Sequence, residues 1–271
     1  PVFVKLLVVL GIIGVIVSWI VFEALDIEKT TMFLLTPTSP TGIRRPDKDE
    51  IPVYDANDLT RIGHYPAYPL DGSYIQMCNI DLSSYDNWEP IGNFAQDQKM
   101  FTGVFDGNGF VIRNLSIANK SNDYQGLFGY LGNLAKVINI KVENANVTGN
   151  KCVGVLAGYN EGYVDHCAVT GYVSGVKHVG VLVGANGGTI NKSVAHGMAE
   201  CKNTEGANIG GLVGSNGLNS SKLCKVAYCY STADVISQGK YTGGLIGSNL
   251  NGAEIINCYV CFNKEIFLFN S

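Results

Sequence analysis

A chain of 271 residues with a net charge of −4, a pI near 5.6 and only four arginines offers no basic footprint for nucleic acid. Hydrophobic residues make up 46% and charged residues 15%, too apolar for a disordered chain and enough for one elongated core. Eight cysteines suit an oxidising compartment.

The chain opens on an apolar segment. Leu6 to Phe22 carries no charge, and Val2 to Val4 extend the run beyond Lys5. A helix over 1–26, at about 1.5 Å per residue, comes close to spanning a bilayer core. No small-residue cleavage pattern follows Phe22, so the segment reads as an uncleaved anchor rather than a secretory leader. A helix apolar on every side is stable in lipid or among like helices, and Lys5 can reach headgroups or solvent in either setting. The stretch from Lys5 to Ile16, with its Leu6-Leu7-Val8-Val9 and Ile12-Ile13-Gly14 blocks, resembles the mature N-terminus of a type IV pilin. Lys5 stands where that family commonly has Glu, a residue archaeal relatives often lack; Pro1 in place of Met fits a processed precursor. The resemblance implies that the helix leaves the membrane to pack in a filament core, making a helical homopolymer of the chain. The residues expected in that core are Pro1, Lys5, Leu6, Leu7, Val8, Val9, Leu10, Ile12, Ile13, Gly14, Ile16 and Trp19.

Residues 27–52 contain Thr36-Pro37-Thr38-Ser39-Pro40-Thr41-Gly42 and a charged run from Arg44 to Glu50, predicting a semi-stiff, solvated linker. In a filament the same stretch could pair with a neighbour's exposed sheet edge.

Residues 53–271 read as one β-solenoid domain. Nearly the same phrase is written five times: GLFG ending at Gly129, GVLAG at Gly158, GVLVG at Gly184, GGLVG at Gly214 and GGLIG at Gly247. Self-similarity at steps of 26 to 33 residues signals stacked repeats, each burying its apolar side against the next. The segments between phrases are short, alternating and rich in Val, Ile, Tyr and Cys, which fits strands. Coils of short strands would then stack about 4.8 Å apart, with glycine where φ is positive or backbones approach closely. An asparagine lies two residues beyond each of the last four phrases: Asn160, Asn186, Asn216 and Asn249. Such a series is expected to form a structural ladder of amides, as stacked asparagines do in cross-β arrays; a polar ligand groove is the other reading.

The phrases, together with the lead-in Trp88-Glu89-Pro90-Ile91-Gly92 and Phe101-Thr102-Gly103-Val104-Phe105-Asp106-Gly107-Asn108-Gly109, resemble the GLUG repeats of bacterial and archaeal surface proteins. The resemblance covers about residues 53–262 and implies a right-handed parallel β-solenoid on an adhesin or other exported protein, with the lead-in forming the first coils. The resulting expectation is a mainly β chain, a solenoid preceded by a single long hydrophobic α-helix. Its function would be that of a structural subunit of an extracellular, pilus-like filament, membrane-anchored before assembly. Its partners would be copies of itself and a glycan or cell-surface ligand. A singly anchored surface adhesin is the alternative, and a carbohydrate-active β-helix enzyme the lesser one.

Cys167, Cys229 and Cys258 occupy equivalent positions, with Ser193 in the same slot between the first two. Cys229 and Cys258 should face each other across adjacent coils, either bridged or as a ladder of buried thiols, and Cys201–Cys224 could close a bulge. No spacing suits a zinc site, and no cofactor or metal is assigned. Five sequons mark glycan-acceptor positions, Asn114, Asn119, Asn146, Asn191 and Asn219. Carboxylates at Asp106, Glu143, Asp165, Glu205, Asp234 and Glu254 fall at dissimilar coil positions, and the four histidines lack a recognisable nucleophile partner, so no catalytic residue is assigned. Tyr130, Tyr159, Tyr163 and Tyr172 are read as packing between coils or as a glycan-facing flank. The apolar stretch Val260–Phe269 should be covered by a subunit contact or by its own chain.

Overall fold

The computed structural model describes residues 43–94, 99–201, 207–218, 224–262 and 265–269, with side chains described as far as Cys261. The Pro1–Asp26 helix with its twelve named core residues, the first part of the linker, and the Asn219 sequon lie outside the described residues.

The architecture is a parallel β-solenoid, and each coil visits four sheets in turn. One representative coil runs Ala157–Asn160, Tyr163–Asp165, Ala168–Gly175 and Lys177–Gly180, after which Val183–Asn186 begins the next. The sheet containing Tyr163–Asp165 has eight strands, from Ile51–Val53 to Glu254–Ile256, all parallel and in register: Val164 faces Val137 on one side and Ile190 on the other. Period-two alternation sends these residues inward. Phe105, Val137, Val164, Ile190 and Val226 form one fully buried column, with Lys136, Tyr163 and Lys225 outside it.

The glycine phrase has a steric explanation. Its leucine enters the core (Leu127, Leu156, Leu182, Leu212 and Leu245). Its opening glycine sits under a tight turn: a Cβ on Gly180 would lie 2.4 Å from the Val183 carbonyl oxygen, and one on Gly210 2.2 Å from that of Val213. Its closing glycine marks direct backbone contact between two sheets. A Cβ on Gly184 would lie 2.3 Å from the Val153 nitrogen, one on Gly214 2.4 Å from that of Val179, and one on Gly247 2.5 Å from that of Ile209. None of these has a positive φ, so close approach rather than turn conformation fixes the repeat. The left-handed corners are elsewhere. Asn139, His166, Lys192, Tyr228 and Asn257, one per coil, have φ of 43–55°. Asn tolerates that region best, and the other three residues hold it at a cost of about 1 kcal/mol each.

The two ends differ from the body. At the first end a short helix, Ala56–Arg61, is capped by the Asp55 carboxylate accepting from the Asp58 N–H at 2.9 Å. An aromatic core of Tyr74, Trp88, Phe101, Phe105 and Phe128 fills the first coils. The linker's second half is docked there: Ile51–Val53 is the first strand of the eight-stranded sheet, pairing with Ser73–Gln76. At the other end Glu265–Phe269 turns back antiparallel onto Cys258–Phe262, so the chain covers that edge itself.

Candidate functional site

Polar side chains stack in columns, and these are the most organised chemistry in the described residues. The asparagines after the glycine phrases form a continuous chain. Asn160 Nδ2 donates to Asn186 Oδ1 at 2.7 Å, Asn186 Nδ2 to Asn216 Oδ1 at 2.8 Å, and Asn216 Nδ2 to Asn249 Oδ1 at 2.8 Å. The Asn249 amide closes the series on the Ala253 carbonyl at 2.7 Å. The first three are fully buried. Asn160 and Asn186 also fold back on their own corners, as when Asn160 Oδ1 accepts from the Gly162 N–H at 3.0 Å. Both ends of these amides are satisfied within the protein, leaving no face for a ligand.

The cysteine column is a second ladder, and it corrects the expected bridging. No disulfide joins Cys229 to Cys258 or Cys201 to Cys224. The backbone N–H of Cys167 donates to Ser193 Oγ at 3.1 Å, that of Ser193 to Cys229 Sγ at 3.4 Å, and that of Cys229 to Cys258 Sγ at 3.4 Å. Each sulfhydryl or hydroxyl also donates to the carbonyl two residues earlier: Ser193 at 2.7 Å, Cys229 at 3.1 Å and Cys258 at 3.3 Å. Each side chain in the slot thus ties its own corner to the coil before it, which is why serine substitutes for cysteine there. Burial pushes the Cys167 thiol up to about 12 and raises that of Cys229 as well, so these are inert as nucleophiles.

Two further columns were not anticipated. Asn139 Nδ2 donates to Asp106 Oδ1 at 3.0 Å and Asn191 Nδ2 to Asp165 Oδ1 at 2.8 Å, while Asp165 Oδ2 lies 2.8 Å from His166 Nδ1. On the neighbouring corner Asn114 Nδ2 donates to Asp81 Oδ1 at 2.8 Å, and Asn114 Oδ1 accepts from Asn144 Nδ2 at 2.6 Å. Their sequence signal is an Asn or Asp at recurrent corners outside the glycine phrase. Asp106 is also the anchor for the linker. Arg44 reaches it at 2.9 Å and grips Glu50 with both terminal nitrogens at 2.5 and 2.7 Å, and the linker backbone at Arg44 exchanges hydrogen bonds with Asn108. The Arg44 guanidinium holds the Glu50 carboxyl below its usual range.

A polar knot lies inside the wall at His178. Its Nδ1 is 2.7 Å from Ser215 Oγ, which also receives Asn208 Nδ2 at 2.7 Å and meets Ser248 Oγ at 3.0 Å. Burial, then the charges of Lys177 and Lys151, lower the His178 pKa to about 4, so the imidazole is neutral. The tyrosines pack. Tyr130 and Tyr159 stack at 4.8 Å with Tyr124 against both; Tyr172 hydrogen-bonds Glu200, and of Tyr130, Tyr159, Tyr163 and Tyr172 it is Tyr163 alone that is exposed. A cleft of about 580 Å³ opens beside the short helix, lined by His64, Tyr65, Tyr85, Asn87, Trp88 and Glu89. Two of these, His64 and Glu89, approach to 3.9 Å and are half-exposed. Among the described residues no three His, Cys, Asp or Glu converge as metal ligands, and no helix is long and apolar enough to cross a membrane.

Comparison with known proteins agrees with this geometry. The GLUG motif family matches residues 205–236 and 238–260. Halomucin of Haloquadratum walsbyi is 35% identical over 141 residues, covering 51% of this chain and 2% of halomucin. A protein of Evansella cellulosilytica provisionally named a Gly-rich membrane protein is 33% identical over 111 residues, covering 38% of this chain and 12% of its own length. The chain therefore spans a small part of both relatives. Among solved structures, a Bacteroides ovatus protein provisionally named an immunoglobulin A1 protease superposes with a TM-score of 0.60 at 18% identity, covering 80% of this chain and 65% of that one. That likeness is one of fold. Residues 205–260 thus carry GLUG motifs, and they lie on a stack of parallel β-solenoid coils.

Proposed function

We propose that the chain is a structural element of the cell surface, a solenoid that stands outside the cell and is joined to its support through residues 1–26. The observation that carries this reading is the unbroken, in-register Asn ladder. The most ordered polar groups in the described residues bond one another rather than converge on a cleft, as suits a spacer or display element. The names of the two relatives, a mucin and a membrane protein, support a surface or membrane-associated location. Right-handed winding belongs to the same reading, because parallel crossover connections turn that way. In its full form the proposal is a pilus-like filament, with leading helices of many copies in the core and solenoids outside, contacting glycans or other surfaces.

Electron microscopy of native surface material tests it. Thin fibres with a central bundle of helices and solenoids on the outside are expected. Solitary molecules released by detergent, with no fibres, would overturn the filament and leave a singly anchored surface protein.

A further inference from the structure

The sequons differ sharply in geometry, and the difference sorts them. At Asn191 the Nδ2 is engaged by Asp165 at 2.8 Å, and the corner at Lys192 turns Ser193 into the core, where it is fully buried. At Asn114 the backbone is left-handed (φ 61°) and the amide bonds Asp81 through its nitrogen and Asn144 through its oxygen. The hydroxyl of its partner Ser116 is held by the Asp86 carbonyl at 3.1 Å.

Asn146 is the opposite case. It lies in the strand Lys141–Thr148, where Ala145 and Val147 point into the core. Alternation therefore puts Asn146 and Thr148 together on the outer face, with Asn146 exposed. Tyr172 is its in-register partner in the next coil, about 4.8 Å on, and offers a ring beside a first sugar. Asn119 is close by: its backbone N–H donates to the Thr148 carbonyl at 3.1 Å, and Lys120 and Ser121 of its turn are exposed.

We infer that Asn119 and Asn146 are the glycan-acceptor sites of the described domain and that Asn114 and Asn191 are not. In the transfer, Asn Nδ2 attacks the anomeric carbon of a sugar carried on a polyprenyl phosphate. A C–N bond forms as the C–O bond to the lipid phosphate breaks; the phosphate leaves with the bonding pair and the amide gives up one proton, with no change of oxidation state. Two sugars so placed would cover one patch of the sheet that contains Lys141–Thr148. The inference rests on export of the chain but not on filament assembly, so failure to find fibres leaves it standing.

Glycopeptide mass spectrometry of the full chain from the cells that make it provides the test. Sugar is expected on the peptides containing Asn119 and Asn146, with Asn114 and Asn191 bare. Asn146→Gln and, separately, Thr148→Ala should each remove one of the two sugar mass increments without altering the far-ultraviolet circular dichroism. Sugar on Asn191 or Asn114, or its absence from either Asn119 or Asn146, overturns the assignment.

Discussion

Replacing Asn186 by alanine is the most direct test of what holds the coils in register. The Asn186 side chain is fully buried and makes bonds in both directions: it receives Asn160 at 2.7 Å, donates to Asn216 at 2.8 Å, donates to the Gly188 carbonyl at 3.0 Å and accepts from the Gly188 N–H at 3.3 Å. Truncation strips Asn160 of its shortest acceptor and Asn216 of its donor from the preceding coil, while the Gly188 groups lose their partner. At about 1–3 kcal/mol per buried group left unpaired, and with Asn160 Nδ2 and Asn216 Oδ1 the two fully buried side-chain groups affected, the loss should be about 2–6 kcal/mol. Asn249 is the internal control. It is exposed, so water can replace what Asn249→Ala removes, and the cost there should be about 1 kcal/mol or less. Urea unfolding gives the two midpoints. Because solenoids can open from one end, amide exchange of the 157–191 strands should be followed alongside. If the two substitutions cost the same within about 0.5 kcal/mol, the ladder does not hold the stack.

Two further outcomes follow from the buried titratable groups. His178 has a folded pKa near 4 against 6.5 unfolded, so both states are neutral above pH 6.5 and stability is at its plateau there. Between pH 6.5 and 4 the unfolded chain takes up a proton that the folded chain refuses, and stability should fall by about 2–3 kcal/mol after allowance for solvent screening. His196, lowered by its own burial, adds to the slope with the same sign. His178→Gln should flatten part of the pH dependence measured by urea midpoints, and an unchanged slope would remove the knot from the account. For the cysteines, dithiothreitol should leave the melting temperature unchanged, and Cys167, Cys229 and Cys258 should react with a thiol reagent only after unfolding. A fall of several degrees on reduction would mean that a bridge exists.

The stacking itself was legible in the sequence, because a solenoid repeats its steric requirements at each coil. Gly184, Gly214 and Gly247 recur because a neighbouring backbone nitrogen fills the space of a Cβ, and Asn186 recurs because its partners above and below are the same residue. The exchange of Ser193 for Cys229 was visible as a shared slot, but sequence could not separate a hydrogen-bonded thiol ladder from a bridge. Both need cysteines in adjacent coils, and the choice depends on whether the two sulfurs reach bonding distance in a suitable direction. The His178 knot was hidden because it joins two sheets: His178 and Asn208 come from the four-stranded sheet and Ser215 and Ser248 from the five-stranded one, so no single column reveals it. The docking of Arg44 on Asp106 was hidden for a similar reason, since a Pro- and charge-containing stretch reads as a spacer unless a buried carboxylate is known to await it.

Coil length varies although register does not, and the location of the variation bears on function. The closing glycines are 26 residues apart between Gly158 and Gly184 but 33 apart between Gly214 and Gly247. The strand following the ladder asparagine starts three residues after Asn186 (Thr189) but nine after Asn216 (Lys225), and the gap from Gly175 to Lys177 widens to that from Cys201 to Asn208. From Lys136–Ile138 onward no extra residue enters the corner between Thr189–Asn191 and Val194–Cys201 or its counterparts, where the Asp–Asn and Cys–Ser columns run. A slip of one residue there would turn an entire strand inside out and break several columns at once. Beyond the first coils, insertions between strands are therefore confined to two corners, where only backbone pairing beyond the loop must be restored. Repeats of this kind diversify at such corners, so any surface that distinguishes one member from another should be built there, on a body whose polar ladders keep its shape constant.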